Sequence, residues 1–288
     1  MIIVITGVTG VGKTEIGYKI AKKINGELIS ADSRQIYKYI NIASNKKIFK
    51  DIKTHLIDIR NPNETYSIYE FRSDSKSVIK DIQTRNKIPI IIGGSILYIK
   101  SLIYNMTLGS KQNKKLRDKL SLKSIKELQE LLQKKDISFF ETLNNSDKNN
   151  KRRLIRYIEN TKNLKKEFKF NSEYIVFEIQ KETNMLSKSI EKRTKNMIKN
   201  GLVKETKHLL DIGFNEKDPA LNMIGTKETV DYIKGRIDLE DLENQINTHT
   251  KQYIKKQKTF LKSIKEMEII QYEQALDLIP QKINKSQF

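Results

Sequence analysis

Not one of the 288 residues is cysteine. That excludes a disulfide scaffold, a thiolate-ligated zinc site and a cysteine nucleophile. Histidine is nearly as scarce. His55, His208 and His249 show no metal-ligand spacing and read as structural or exposed residues. Only four prolines are present, so no stiff linker divides the chain. No segment reaches the ~18–20 consecutive apolar residues a membrane helix needs. The opening MIIVITG has no basic stretch ahead of it and does not read as a secretory leader, so a cytoplasmic location is expected. Acidic residues are outnumbered, 35 Asp and Glu against 55 Lys and Arg, and the net charge of +20 favours a polyanionic partner. At about 100–200 residues per domain, the length suits two domains or one large domain with an insertion, and a core of that size needs no covalent staple.

Ile2–Thr6 is a β-branched run ended by glycine, which reads as a buried strand. Residues 13–24 place Ile16, Ile20 and Ile24 on one helical face, Glu27–Ser30 reads as a second strand, and Pro89–Ile92 as a third. Strands that are apolar throughout, alternating with helices, predict an α/β fold with a parallel sheet flanked by helices. Ser95–Tyr104 reads as the next helix. From Gly109 to about Phe170 the chain turns Lys-, Asn- and Leu-rich, with helices expected at 121–134, 137–144 and 151–160: an inserted all-helical subdomain. Tyr174–Gln180 looks like a strand re-entering the sheet. Helices are expected near 184–200, 202–212, 226–234 and 239–265, with an edge strand at Glu268–Tyr272 and a frayed tail after Pro280. The expected division is 1–108 and 173–288 for the core and 109–172 for the helical insertion.

Gly7-Val8-Thr9-Gly10-Val11-Gly12-Lys13-Thr14 fits the P-loop pattern G-x-x-x-x-G-K-[ST] between a strand and a helix. Backbone N–H groups of Thr9, Gly10, Val11 and Gly12 would cradle phosphate oxygens, aided by the helix N-terminus. Lys13 adds a mobile charge, and Thr14 can ligate a Mg²⁺ bridging the phosphates. The motif does not say what carries those phosphates. An ordinary ATPase usually has a second apolar strand ending in Asp, whereas the third strand here ends in Gly93-Gly94-Ser95.

Asp32 follows the second strand within Ser30-Ala31-Asp32-Ser33-Arg34-Gln35-Ile36-Tyr37, at the sheet edge where ligands of open α/β sheets bind. Read from spacing alone it fits two roles, a helix N-cap or a base that takes a proton from an incoming nucleophile.

With these residues in hand, the ordered set GVTGVGKT, ELISADSRQIY, HLIDI, EFRSD and PIIIGGSILY, followed by KRRLIRYIE, KSIEKRTKNMIKNGLVKE, NMIGTKE and KQYIKKQKTFL, resembles the tRNA dimethylallyltransferase (tRNA isopentenyltransferase) family over nearly the whole chain. The resemblance implies transfer of a dimethylallyl group from dimethylallyl diphosphate to N6 of the adenosine 3′ of the anticodon in tRNA. The P-loop would then hold a diphosphate leaving group, Asp32 would serve as the base, and Arg193, with Met197 four residues on, would contact diphosphate. Without the resemblance, Arg193 reads as part of a solvated helix face. Asp32, Ser33, Arg34, Gln35 and Ser95 would hydrogen-bond a flipped adenine. Arg117 and the basic face Arg152, Arg153 and Arg156 would grip the anticodon stem-loop. Lys251, Lys255, Lys258, Lys262 and Lys265 share one helical stripe, either a solvated face or a phosphate contact, beside Tyr253, Gln257, Phe260 and Ile264. A monomer is expected.

The chain departs from the family pattern at Ala43-Ser44-Asn45-Lys46-Lys47, Ile96, Thr226 and Thr259-Phe260, and lacks the zinc finger of some eukaryotic members. Two other readings compete. A P-loop small-molecule or nucleoside kinase would use Asp32 to activate a hydroxyl but leaves the basic helical segment without a purpose. A noncatalytic RNA-binding protein would not need Lys13, Thr14 and Asp32 together.

Overall fold

Ile2–Thr6 (β1) is buried at every position. Such a strand needs cover on both faces, which helices on either side of a parallel sheet provide. After β1 come α1 (Lys13–Lys23), β2 (Gly26–Ser30), the two-residue β3 (Thr54–His55), α2 (Ile68–Thr84), β4 (Ile88–Ile92) and α3 (Ile96–Ile103). Five helices follow among the described residues: α4 (Lys114–Ser121), α5 (Ile125–Lys135), α6 (Ile137–Glu141), α7 (Asn145–Lys148) and α8 (Lys151–Asn160). Next come β5 (Tyr174–Gln180), α9 (Thr183–Lys199), α10 (Leu202–Asp211), α11 (Thr226–Ile233), α12 (Leu239–Leu261), β6 (Met267–Gln271) and α13 (Ala275–Lys285). The structure, a computed structural model, describes residues 1–104, 106, 113–160 and 169–285. The chain divides into two compact units, 1–103 with 170–288, and 104–169. The boundary expected between 108 and 109 lies outside the described residues.

The six strands run in the order β3-β2-β4-β1-β5-β6, and every neighbouring pair is parallel. Val4 of β1 faces Ile91 on one side and Val176 on the other. The strand order therefore reverses around β1. In open parallel sheets such a reversal opens a crevice at the carboxyl ends of the strands. Three segments end there: Gly7–Thr14 after β1, Ala31-Asp32 after β2, and Gly93-Gly94-Ser95 after β4.

Neither α2 nor β3 was expected from the sequence. α2 starts at a reciprocal cap, in which the Glu70 N–H donates to Ser67 Oγ (3.2 Å) and the Ser67 N–H to Glu70 Oε2 (2.8 Å). It carries Phe71 into the core, stacked on Tyr98 with ring centroids 4.3 Å apart. Burying that ring contributes about 1.5–3 kcal/mol. β3 is too short to leave a periodic signal. A second apolar cluster joins Ile36, Tyr37 and Ile40 to Leu202, Leu209 and Val230, fixing the segment that follows Asp32.

In the 104–169 unit, the helix expected at 121–134 is α5, which starts four residues later, and α4 ahead of it was not expected. Ser124 and Glu127 form a capping box, so α4 ends at Ser121 and α5 starts at Ile125. α8 has the expected bounds and buries Leu154, Ile155 and Ile158.

The tail after Pro280 is not frayed through Lys285 but forms the last turns of α13, with Ile279 and Ile283 buried. Proline removes the bond its N–H would make to the carbonyl four residues back. That acceptor, the Leu276 carbonyl, instead takes a hydrogen bond from Lys23 Nζ of α1 at 3.1 Å.

Candidate active site

The crevice at the strand ends is a cleft of about 770 Å³. Its floor is the loop Gly7–Thr14. Gly12 has φ 94°, and a Cβ there would strike the ring of Tyr272, so only glycine fits. Tyr272 is backed by Lys181, whose Nζ lies 4.4 Å from the ring centroid. Val11 is buried, so only its backbone can face a ligand. Thr9, Gly10, Gly12, Lys13 and Thr14 line the cleft.

Lys13, Arg34 and Arg193 stand together in this space, with Lys46, Lys47 and Lys192 also on its lining. Lys13 Nζ donates to the Val8 carbonyl at 2.8 Å. Burial pushes the Lys13 ammonium down to about 8; Asp32 opposes that shift and Arg193 adds to it. Arg193, from α9, is pushed down to about 10 by burial and then by the neighbouring Arg34. The solvated helix face is thus not where Arg193 lies. Arg34 sits with its guanidinium carbon 5.2 Å from the Tyr253 ring centroid and reaches the Ile224 carbonyl at 3.5 Å. Lys13, Arg34, Arg193 and Asp32 all line the one cleft. A polyanion entering it would offset the repulsion among the cations.

Asp32 does not cap a helix, because residues 33–36 form a turn. Its Oδ1 accepts the Arg34 N–H at 2.9 Å, and its other oxygen makes no hydrogen bond among the described residues. Beside it the ends of β2 and β4 are stitched together. The Ser95 N–H donates to the Ala31 carbonyl at 3.1 Å, and the Ser33 N–H to Ser95 Oγ at 3.0 Å. Ser30 Oγ donates to Gln35 Oε1 at 2.9 Å, holding Gln35 at the cleft wall. The structure thus brings Thr9–Thr14, Asp32, Ser33, Arg34, Gln35, Ser95 and Arg193 to one edge of the sheet.

Arg117, Arg152, Arg153 and Arg156 belong to the helical unit. Arg117 makes a forked pair with Glu159, at 2.8 Å from Nε and 2.7 Å from Nη2, and Arg156 lies 3.6 Å from the same carboxylate. Arg153 pairs with Asp147, and Arg152 is exposed. On α12 and just beyond it, Lys251, Lys255, Lys258, Lys262 and Lys265 are all exposed.

Sequence reasoning missed three contributors. In sequence Tyr253 and Gln257 of α12 stand only as neighbours of the lysine stripe, yet both line the cleft. A glutamine on the inward face of a helix is the one signal that pointed to it. Glu205 of α10 was not singled out. Its carboxylate accepts the N–H groups of Asn41, Ile42 and Ala43 at 2.7, 2.8 and 2.9 Å and so shapes the cleft wall. Two of the departures from the family pattern hold neighbouring structure: Lys46, which also lines the cleft, bonds Asp58 at 2.5 Å and the Tyr37 carbonyl at 3.0 Å, and Thr226 is buried on the Ala220 carbonyl at 2.8 Å.

Among the described residues no group of three or more His, Asp or Glu could hold a metal by itself. Mg²⁺ does not require one, since it keeps several waters and takes few protein ligands beside substrate phosphates. The Thr14 hydroxyl at the head of α1, with Asp32 in the same cleft, fits that mode of binding.

A parallel α/β sheet with a glycine loop ahead of its first helix and a cation-lined cleft at its strand ends defines a class of protein built to hold a phosphate-bearing substrate. The chain belongs to the IPP transferase family, whose model matches residues 35–264. It is 38% identical over 282 residues to a tRNA dimethylallyltransferase of Staphylococcus aureus (strain bovine RF122 / ET3-1), covering 91% of this chain and 89% of that protein. The crystal structure of a tRNA delta(2)-isopentenylpyrophosphate transferase from Staphylococcus epidermidis is similar with a TM-score of 0.74 and 34% identity, over 99% of both chains. A eukaryotic dimethylallyltransferase acting on tRNA is similar with a TM-score of 0.80 and 25% identity, over 99% of this chain and 76% of that one.

Proposed function

We propose that this chain transfers a dimethylallyl group from dimethylallyl diphosphate to N6 of the adenosine 3′-adjacent to the anticodon of tRNA, releasing diphosphate. One observation carries the chemistry: Lys13, Arg34 and Arg193 line a cleft with Asp32 at the carboxyl edge of the sheet. The adenine amine attacks the allylic carbon as that carbon's bond to the diphosphate oxygen breaks. Negative charge builds on the leaving group, where the backbone N–H groups of Gly10–Thr14, Lys13 and Arg193 stabilise it. The Thr9 N–H is already taken by a side chain, so its contribution falls to the hydroxyl. Thr14 would hold a Mg²⁺, which when bound supplies positive charge to the phosphate oxygens. The amine sheds a proton as the carbon–nitrogen bond forms, and Asp32 receives it.

Ser33, Arg34, Gln35 and Ser95 hold the everted base. Arg117, Arg152, Arg153 and Arg156 grip the anticodon stem-loop through its phosphates. The enzyme works as a monomer in the cytoplasm, each copy supplying the whole cleft.

Gly93-Gly94-Ser95 at the end of β4 offers no carboxylate of the kind an ATP-hydrolysing site places there, and so disfavours the kinase reading. Incubation with labelled dimethylallyl diphosphate, Mg²⁺ and unmodified tRNA tests the proposal. Label on an adenine beside the anticodon is the expected result. Phosphate transfer from ATP to a small acceptor, or tRNA retention without product, would overturn it.

A further inference from the structure

Gln257 is 3% exposed, in a turn of α12 whose other inward residues, Ile254 and Leu261, are apolar. A buried primary amide must find partners for both its donor and its acceptor. Here the partners come from two loops far apart in sequence. Oε1 accepts the Thr9 N–H at 2.9 Å, and Nε2 donates to the Gly94 carbonyl at 2.8 Å. An amide serves both, whereas a carboxylate cannot donate to a carbonyl and an ammonium cannot accept from an N–H. A second observation agrees. A Cβ at Gly94 would lie 2.5 Å from Gln257 Nε2 but at ordinary contact, 3.5 Å, from the Gly7 carbonyl. A side chain at Gly94 would therefore press on the amide that Gln257 places there.

Thr9 opens the loop that would hold the leaving group. Gly94 leads directly to Ser95, whose hydroxyl accepts the Ser33 N–H on the shelf proposed for the acceptor base. We infer that Gln257 is a positioning residue that spans the crevice between β1 and β4 and sets the distance from the diphosphate cradle to the acceptor-base shelf. This rests on the proposed function, and it deepens that reading by adding a residue whose side-chain amide is engaged by the backbone of both loops. It also places the control on α12, the helix whose outer face carries the lysine stripe.

The test uses inorganic pyrophosphate with Mg²⁺ as the probe, followed by calorimetry, beside steady-state kinetics, tRNA affinity and melting temperature on the full chain. Gln257→Met keeps the length of the side chain and loses both bonds. It is expected to weaken pyrophosphate binding about tenfold and to lower kcat by more, with tRNA affinity within about twofold of wild type. Gln257→Glu keeps the bond from Thr9 but loses the donation to Gly94 and adds a negative charge, so it should bind pyrophosphate more weakly still. Gly94→Ala should impair the wild-type chain about tenfold but add little to Gln257→Ala, since the colliding group is then gone. Pyrophosphate affinity and kcat unchanged in Gln257→Met would overturn the inference. So would a parallel fall of tRNA affinity, pyrophosphate affinity and melting temperature, which marks a merely structural role. If Gln257→Met does not fold, Gly94→Ala decides alone, and wild-type kinetics in that variant would overturn the inference. A wild-type chain that prenylates tRNA while Gln257→Met matches it refutes this inference alone; one that neither binds pyrophosphate nor prenylates tRNA refutes the function with it.

Discussion

The two ends of the β2 region each set one carboxylate beside basic side chains, with opposite results. At one end Glu27 is buried and in direct contact with His55 (2.8 Å), Lys87 (2.9 Å) and Arg85. Those partners, Arg85 first, hold its carboxyl well below the usual carboxylate range despite burial. At the other end Asp32 shares its cleft with Lys13, Arg34 and Arg193, yet among the described residues none of the four forms an ion pair. The first cluster satisfies its own charge. The second is left without such pairs, and burial holds Lys13 and Arg193 below their ordinary values. The same strand thus carries a structural tie at one end and the candidate site at the other.

The largest effect expected from breaking this contrast is at Asp32. Asp32→Ala should lose about 10²–10⁴-fold in turnover, the range of a general base, with tRNA binding and melting temperature retained. Single-turnover kinetics beside a tRNA binding isotherm measure both, and unchanged turnover removes Asp32 from the mechanism.

Glu27→Gln should do the reverse. A loss of about 2–3 kcal/mol of stability is expected, at or below the low end for a buried pair because Arg85 and Lys87 are partly exposed. Substrate affinity of the folded fraction should not change. Because Glu27 is held below its unfolded value of 4.5, its contribution is present above that pH and is lost as pH falls below it. Denaturant titrations from pH 7 to pH 3 should show a shallower acid decline in Glu27→Gln; an identical decline contradicts the assignment.

Lys13 gives a smaller, pH-dependent effect. Burial pushes its ammonium down to about 8, so kcat/KM for the diphosphate substrate should fall as pH rises through that value, by up to tenfold per unit if protonated Lys13 is required. The stability term has the opposite sign. The unfolded lysine, at 10.5, binds more protons between about 8 and that value, so this residue alone makes folding more favourable with rising pH there. Lys13→Arg should remove the alkaline fall, whatever its overall rate.

The smallest single effects belong to the exposed cations. Arg152→Ala or Lys255→Ala should weaken tRNA binding only a few-fold and reduce the slope of log affinity against log salt. A flat salt response in the wild-type chain would sink the basic-face reading.

How much of this was legible in sequence follows the range of each interaction. The buried strands, the glycine loop, Asp32 and the core face of α8 all announce themselves within a few residues, because periodicity and motif spacing are local. β3 pairs only two residues with β2 and leaves no such trace. α13 continues past Pro280 because Lys23, far upstream, takes up the carbonyl that proline leaves open. Glu205 looks like any helical glutamate until the segment 41–43 folds against it. Gln257 is one polar residue in a Lys- and Gln-rich helix until Thr9 and Gly94 arrive on either side of its amide.

The amino-acid order alone pointed to the α/β class, to the glycine loop with Lys13 and Thr14, and to Asp32 after the second strand, since each depends on neighbours along the chain. Only the folded molecule decided which of the many cations would be left unpaired around Asp32 and which would neutralise Glu27, Asp147 and Glu159. Whether a charge is satisfied depends on which groups stand within a few ångströms of it, and those groups come from segments that the chain brings together only when the sheet closes and the helices pack.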